Sequence, residues 1–175
     1  YALHQRGDGE AKKIDFKPLL KEITWKNPDS SAPAFSALVP RKELRSMGDY
    51  MFVMVPGYYY EKEEDVYMQQ ITKLLVNVGG IPGNWNTPAG LPCEIVPLAK
   101  PYGLWTGNVK SSVKYPNGVM VTQAIMTDAN GVFTFGIPKA GWWGFAALGV
   151  GPDKKHDGKE LSQDAVIWVQ AVDMK

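Results

Sequence analysis

The sequence has one cysteine, Cys93, and two histidines, His4 and His156. A single cysteine excludes an intrachain disulfide and any zinc site built from several cysteines. It leaves the compartment open, because many exported proteins carry no disulfide. Charge bias is also missing: 19 Lys and Arg stand against 18 Asp and Glu. A balance this even lacks the electrostatic footprint of a nucleic-acid or anionic-membrane binder, so we expect no nucleic-acid partner. No apolar run approaches the roughly 20 residues that cross a bilayer, and we expect a chain that is not membrane-embedded. A phosphate loop, a Gly-x-Gly-x-x-Gly fingerprint, a His-Glu-x-x-His pair and a Gly-x-Ser-x-Gly elbow are all absent. A nucleophilic Cys–His pair would need Cys93 to meet a histidine, but it lies in an apolar stretch that predicts a buried, inert thiol. The expectation is a protein with no catalytic residues, not an enzyme.

What is present is turn chemistry and β-type sequence. Thirteen prolines and 18 glycines spread over 175 residues predict many turns and few long helices. The stretch Thr127–Leu148 is the one around which the rest is arranged. It opens with Asp128-Ala129-Asn130-Gly131, a turn by composition. Val132–Ile137 then alternates as a strand, Pro138–Gly141 breaks it, and Trp142–Leu148 begins a second strand. The two read as a hairpin-like unit. Adjacent Trp142 and Trp143 must point to opposite faces, one toward a core and one toward a partner or solvent.

Elsewhere, Tyr1–Phe16 reads as two short strands around Arg6-Gly7-Asp8-Gly9-Glu10, whose Arg-Gly-Asp tripeptide has a sufficient role as a turn. Lys17–Trp25 fits a strand or a short helix, Lys26–Pro33 a loop, and Ala34–Val39 an edge strand. Gly48–Pro56 is a strand buried on both faces over part of its length, with a Tyr50 hydroxyl placed to bond a nearby corner. Val66–Gly80 fits a helix or a strand by periodicity, and Ile71, Thr72, Val76 and Val78 favour a strand over Gln70–Val78; Ile81–Gly90 is a linker by composition. Leu91–Leu98 is a Pro-bracketed edge strand, Val109–Val113 and Val119–Met126 are strands, Gly149–Asp164 is a charged loop, and Ala165–Val172 is the closing strand. The predicted fold is all-β, with two immunoglobulin-like or transthyretin-like β-sandwich domains, 1–80 and 91–175, joined by the 81–90 linker. The strand-like first residues lead us to expect preceding residues that complete the first sandwich.

Metal binding is the chemistry left over. Tyr59, Glu61, Glu64 and Asp65 form the most ligand-rich patch, and His4 and His156 are the two imidazoles. Carboxylate and imidazole donors suit a borderline divalent ion such as nickel, cobalt or zinc. Asp153–Glu160 mixes carboxylates with His156, but its lysines repel a cation and it departs from the calcium-loop pattern. Candidate metal ligands are therefore His4, Glu61, Glu64, Asp65 and His156, and candidate partner-contacting aromatics are Tyr102, Trp105 and Trp142.

Several blocks, taken in order, resemble one family. They are Gly48-Asp49-Tyr50, Tyr59–Asp65, Gly90-Leu91-Pro92 with Glu94–Leu98, Pro101–Leu104 with Gly107-Asn108, Thr127–Phe133, Ala140–Ala147 and Gly158–Ser162. The chain from about Gly48 onward resembles bacterial periplasmic proteins linked to nickel and cobalt uptake, the NikK-like additional periplasmic component of nickel energy-coupling-factor transporters. The resemblance implies an exported, periplasmic two-domain β protein, its signal peptide removed. Such a protein would help deliver Ni2+ or Co2+ to membrane transporter subunits. Two features depart from the family pattern. The Ala-His amino terminus and the His-Pro-Phe-Glu block are missing, and no Gly-Lys-Pro-Val-Pro hairpin separates Lys110 from Ser111. The rival reading from the residues is a carbohydrate- or protein-binding β-sandwich module of the cell envelope, with aromatic rings as its contact surface.

Overall fold

The computed structural model describes residues 1–83, 85–105, 124–149 and 154–173, with the backbone alone for Trp105. Among these residues the chain is all-β, with two short 3-10 turns at Lys17–Leu19 and Arg41–Leu44. The strands are β1 (Ala2–Gln5), β2 (Lys12–Ile14), β3 (Leu20–Lys26), β4 (Ser31–Ala37), β5 (Gly48–Met54), β6 (Tyr59–Glu61), β7 (Val66–Val78), β8 (Leu104–Trp105), β9 (Gly141–Ala147), β10 (Lys154–His156) and β11 (Lys159–Val172). Nine of them form one mixed sheet with the path β10-β11-β7-β5-β1-β2, to which β6, β8 and β9 are added at the flanks. β3 and β4 stand apart as an exposed two-stranded hairpin.

The centre of the sheet is a parallel pair. β11 lies beside β7 from Leu161↔Tyr67 to Trp168↔Leu74, so strands from both sides of the 81–90 segment share one sheet. Parallel neighbours need a long crossover connection. Here the crossover supplies the cover, because its Trp85, Ala89, Leu91, Ile95, Tyr102 and Ile137 side chains pack on one face of the sheet. The period-2 burial of β7 follows from that arrangement. Its odd residues Gln69, Ile71, Lys73 and Leu75 face inward and are buried. Met51 and Val53 of β5 and Ala165 and Ile167 of β11 share that inner face through their register with Leu75, Lys73, Ile71 and Lys73, and Val169, two residues beyond Ile167 and paired with Trp143 of β9, continues it.

Several expectations hold. Arg6–Gly9 is the turn between β1 and β2, closed by the Gly9 N–H on the Arg6 carbonyl at 3.1 Å. The Tyr50 hydroxyl donates to the Ser46 carbonyl at 3.1 Å, bracing the turn before β5. Asp128 closes the Asp-Ala-Asn-Gly turn: its carboxylate accepts the Asn130 and Val132 N–H groups, both at 2.9 Å. The paired tryptophans split as expected, Trp142 exposed and Trp143 packed on the inner-face core.

Four segments differ from the expectation. Val132–Ile137 is no strand and forms no hairpin with β9, whose partner is β11. The alternation survives as packing: Phe133 and Phe135 turn inward onto Phe145, each at 5.5 Å between ring centres. Leu91–Leu98 is also no strand, because the backbone at 89–91 wraps the Glu94 carboxylate and Pro92 and Pro97 remove ladder donors. The 149–164 stretch is not simply a loop, since β10 and the start of β11 make a hairpin across Asp157-Gly158. The loop expected over 26–33 shrinks to Asn27–Ser30, where the Asn27 side chain accepts two backbone N–H groups and lets β4 begin at Ser31. The expected strand at 109–113 and most of that at 119–126 lie outside the described residues; 124–126 carry no strand.

Candidate functional site

Two places bring chemistry together. The first is the end of the sheet formed by β6, the turn after it and the β10–β11 hairpin. Asp157-Gly158 is a two-residue turn between paired His156 and Lys159, and Asp157 takes φ 49° with Gly158 at φ 80°. An Asp-Gly pair suits two consecutive positive φ values, as a primed turn requires. The turn therefore places His156 beside Asp157 on the outside of the molecule. His156 Nε2 stands 3.6 Å from Asp157 Oδ2, and the Tyr67 hydroxyl donates to the same oxygen at 3.3 Å. Two rings hold the imidazole edge-on, Tyr58 at 4.7 Å and Tyr67 at 4.6 Å. Burial and the Asp157 carboxylate push the Tyr67 phenol up.

The other candidate ligands divide. Asp65 ends the β6–β7 turn at φ 57°, where it accepts from the Lys159 ammonium and the Tyr60 hydroxyl. Those two bonds hold its carboxyl below the usual range, and a lysine on the carboxylate opposes a cation there. Glu61 is half-buried and receives the Glu63 N–H at 3.4 Å; Glu64 is exposed in the same turn. His4 lies on β1, its ring tilted against Tyr50 at 4.3 Å between centres, with Nε2 3.2 Å from the Met47 carbonyl. No described contact joins His4 to His156. Among the described residues, no group of three or more His, Cys, Asp or Glu is arranged to hold a metal ion. Asp157 lies in the Asp153–Glu160 segment that the sequence pattern weighs against, and it is not among the candidate ligands named from sequence. Its signal was the Asp-Gly dipeptide between Lys-Lys-His and Lys-Glu-Leu, a hairpin mark that puts His156 and Asp157 at one turn.

The second place is a pair of carboxylates that staple the cover to the sheet. Lys73, 1 % exposed in the middle of the inner face, donates to Glu94 Oε2 at 2.6 Å. The same carboxylate accepts the Ala89, Gly90 and Leu91 N–H groups at 2.9, 3.0 and 3.3 Å. Burial alone would raise the Glu94 carboxyl; the Lys73 ammonium and the Ala89 and Leu91 amides outweigh it and leave it lowered. Asp49 repeats the device. It accepts from Asn77 at 2.6 Å, the Gly83 N–H at 2.7 Å and the Tyr102 hydroxyl at 3.3 Å. Tyr102 is thus turned inward, its phenol pushed up by burial and by Asp49. Cys93, buried against Ile71 and Ala165, has its thiol pushed up by burial as well.

A family model described as a domain of unknown function, DUF4198, matches residues 1–115 of the 175. The chain belongs to the DUF4198 family. The matched region holds β1 to β8, both stapling carboxylates and Lys73, but ends before β9, β10 and β11. The DUF4198 match therefore takes in Tyr58, Asp65 and Tyr67 but not His156 or Asp157. No curated protein and no solved structure matches the chain.

Beside β11, the DUF4198 chain presents two more exposed rings. Trp142 of β9 is 53 % exposed and Trp168 of β11 is 41 % exposed. Trp168 pairs with Gly144 and Trp142 with Gln170, which puts both rings on the outer face. The Trp168 ring lies over Gly144, where an added Cβ would come within 3.1 Å of it. The side chain of Trp105, the remaining aromatic candidate, lies outside the described residues.

Proposed function

We propose that this DUF4198 chain is a non-catalytic, exported bacterial protein that captures Ni2+ or Co2+ as cargo for a membrane transporter. The observation that supports the reading best is the His156–Asp157 pair, an imidazole nitrogen 3.6 Å from a carboxylate oxygen at an exposed turn. Imidazole and carboxylate donors suit borderline divalent ions. Two protein donors leave coordination positions for water and for the donors of a receiving protein. That openness fits a carrier, which must release what it binds.

Calorimetric titration of the chelator-stripped protein with Ni2+ tests the assignment. His156→Ala should weaken binding by about tenfold or more, equivalent to about 1.4 kcal/mol. Asp157→Asn should weaken it less, and His4→Ala should leave it unchanged. A parallel Glu61→Ala, Glu64→Ala double variant asks whether the acidic turn contributes a further donor; with His156 and Asp157 as the two protein donors, unchanged affinity at unchanged melting temperature is the expected result. Full affinity in His156→Ala would remove this turn from the metal reading.

The exposed Trp142 and Trp168 rings favour a second reading, a sugar- or protein-binding module of the cell envelope. Aromatic faces of this kind stack on apolar ligand surfaces. A glycan screen read by tryptophan fluorescence, repeated with Trp142→Ala, would separate it from the metal reading.

A further inference from the structure

A cavity of about 800 Å3 lies between the inner face of the sheet and the wall made by 94–101 and 131–137. Its floor is the β9–β11 end of the sheet, with Phe145, Ile167 and Val169. Phe133, Phe135 and Leu98 line it from the wall side. A space this size falls in the range of small-molecule pockets, about 300–1,000 Å3, and its apolar lining is typical of them.

The charged groups of the lining decide what kind of ligand fits. Among the described lining residues there is one anion, Glu94, and one cation, Lys100. Glu94 is saturated by Lys73 and three backbone N–H groups, so it offers nothing to a ligand. Lys100 is exposed, as is Leu98 beside it at 75 %, which places this stretch at the mouth. A ligand buried along the aromatic wall would thus meet positive charge where it emerges.

We propose that this cavity binds an elongated apolar molecule with one anionic end, of the long-chain carboxylate class, the chain along Phe133, Phe135 and Phe145 and the carboxylate at Lys100. The proposal is independent of the metal reading: the His156 turn lines no part of this cavity.

The test is a fluorescence titration of the whole protein with cis-parinaric acid, a long-chain carboxylate that brightens in apolar surroundings. Saturable one-to-one binding is expected. Ala147→Trp fills the cavity from β9 and should raise the dissociation constant about tenfold or more. Lys100→Glu, at the exposed mouth and safe for folding, should weaken parinarate several-fold. It should leave the uncharged probe N-phenyl-1-naphthylamine unaffected. Circular dichroism and the melting temperature guard against unfolding of either variant. Unsaturable fluorescence, or parinarate affinity indifferent to both substitutions, overturns the proposal. So does a dimer in light scattering that excludes the probe, because a second copy would then be the occupant.

Discussion

Replacing Glu94 with alanine will cost about 3–5 kcal/mol of stability, the expected loss when one partner of a buried ion pair is removed. Lys73 cannot reach water from its place between Val53 and Ile167, and it would be left charged against an apolar face. The Ala89, Gly90 and Leu91 N–H groups would lose their acceptor at the same time. Lys73→Ala should cost less than Glu94→Ala, since the carboxylate keeps its three backbone donors. The double variant Lys73→Met, Glu94→Leu should lie closer to wild type than either single alanine variant, because no unpaired charge remains. Urea unfolding of the four proteins measures this. A Glu94→Ala midpoint equal to wild type would mean that the pair does not hold the cover to the sheet.

The same pair sets an acid limit. The Glu94 carboxyl is lowered in the folded protein from its ordinary value of 4.5. The unfolded chain therefore binds the proton more readily than the folded one, and stability falls as pH falls. The contribution is fully present above about pH 4.5 and is lost as the pH drops through the lower, folded value. Urea midpoints measured from pH 7 to pH 3 should decline steeply in wild type and less steeply in Glu94→Gln. Parallel acid limbs would assign the decline to other carboxylates.

Gly48→Ala is the second large effect. Gly48 begins β5 at φ +131°, a conformation that L side chains rarely adopt, and it lies against the end of β1. An added Cβ would press into the carbonyl oxygen of Gln5, which the β1–β5 ladder holds, and sit 3.0 Å from the Arg6 Cα where the next turn begins. Strain and overpacking together put the cost at about 2–6 kcal/mol. Gly131→Ala is the control. It also has positive φ, +73°, but nothing lies within 4 Å of its added Cβ, so only a backbone cost of about 1 kcal/mol remains. Thermal melts that fall equally for the two would show that the close approach at Gln5 is not tight.

The candidate site was partly legible. The sequence drew attention to Asp65 and His156, which the fold brings to the same end of the sheet, joined through Lys159, the residue paired with His156. It did not show that Lys159 would take Asp65, because the two are 94 positions apart and meet only when β11 runs beside β7. Nor did it mark Lys73 or Glu94. A lysine inside the alternating Gln70–Val78 stretch looks like an exposed position, and its burial depends on a partner from a distant loop.

By itself the sequence determined the local matters: the all-β character, the turns at Arg6–Gly9 and Asp128–Gly131, the positions of β5 and β9 and of β7 from Gln70 onward, and the opposite facing of Trp142 and Trp143. Side-chain alternation and turn chemistry are properties of neighbouring residues and can be read without the fold. The tertiary structure alone decided which backbones pair. It set β11 parallel to β7, left Phe133 and Phe135 packing without a ladder, wrapped the 89–91 backbone around Glu94 where a strand was expected to begin, and opened the cavity between cover and sheet. Alternation records which side of the chain is apolar; a ladder also needs a free strand edge within reach, and only the whole fold supplies one.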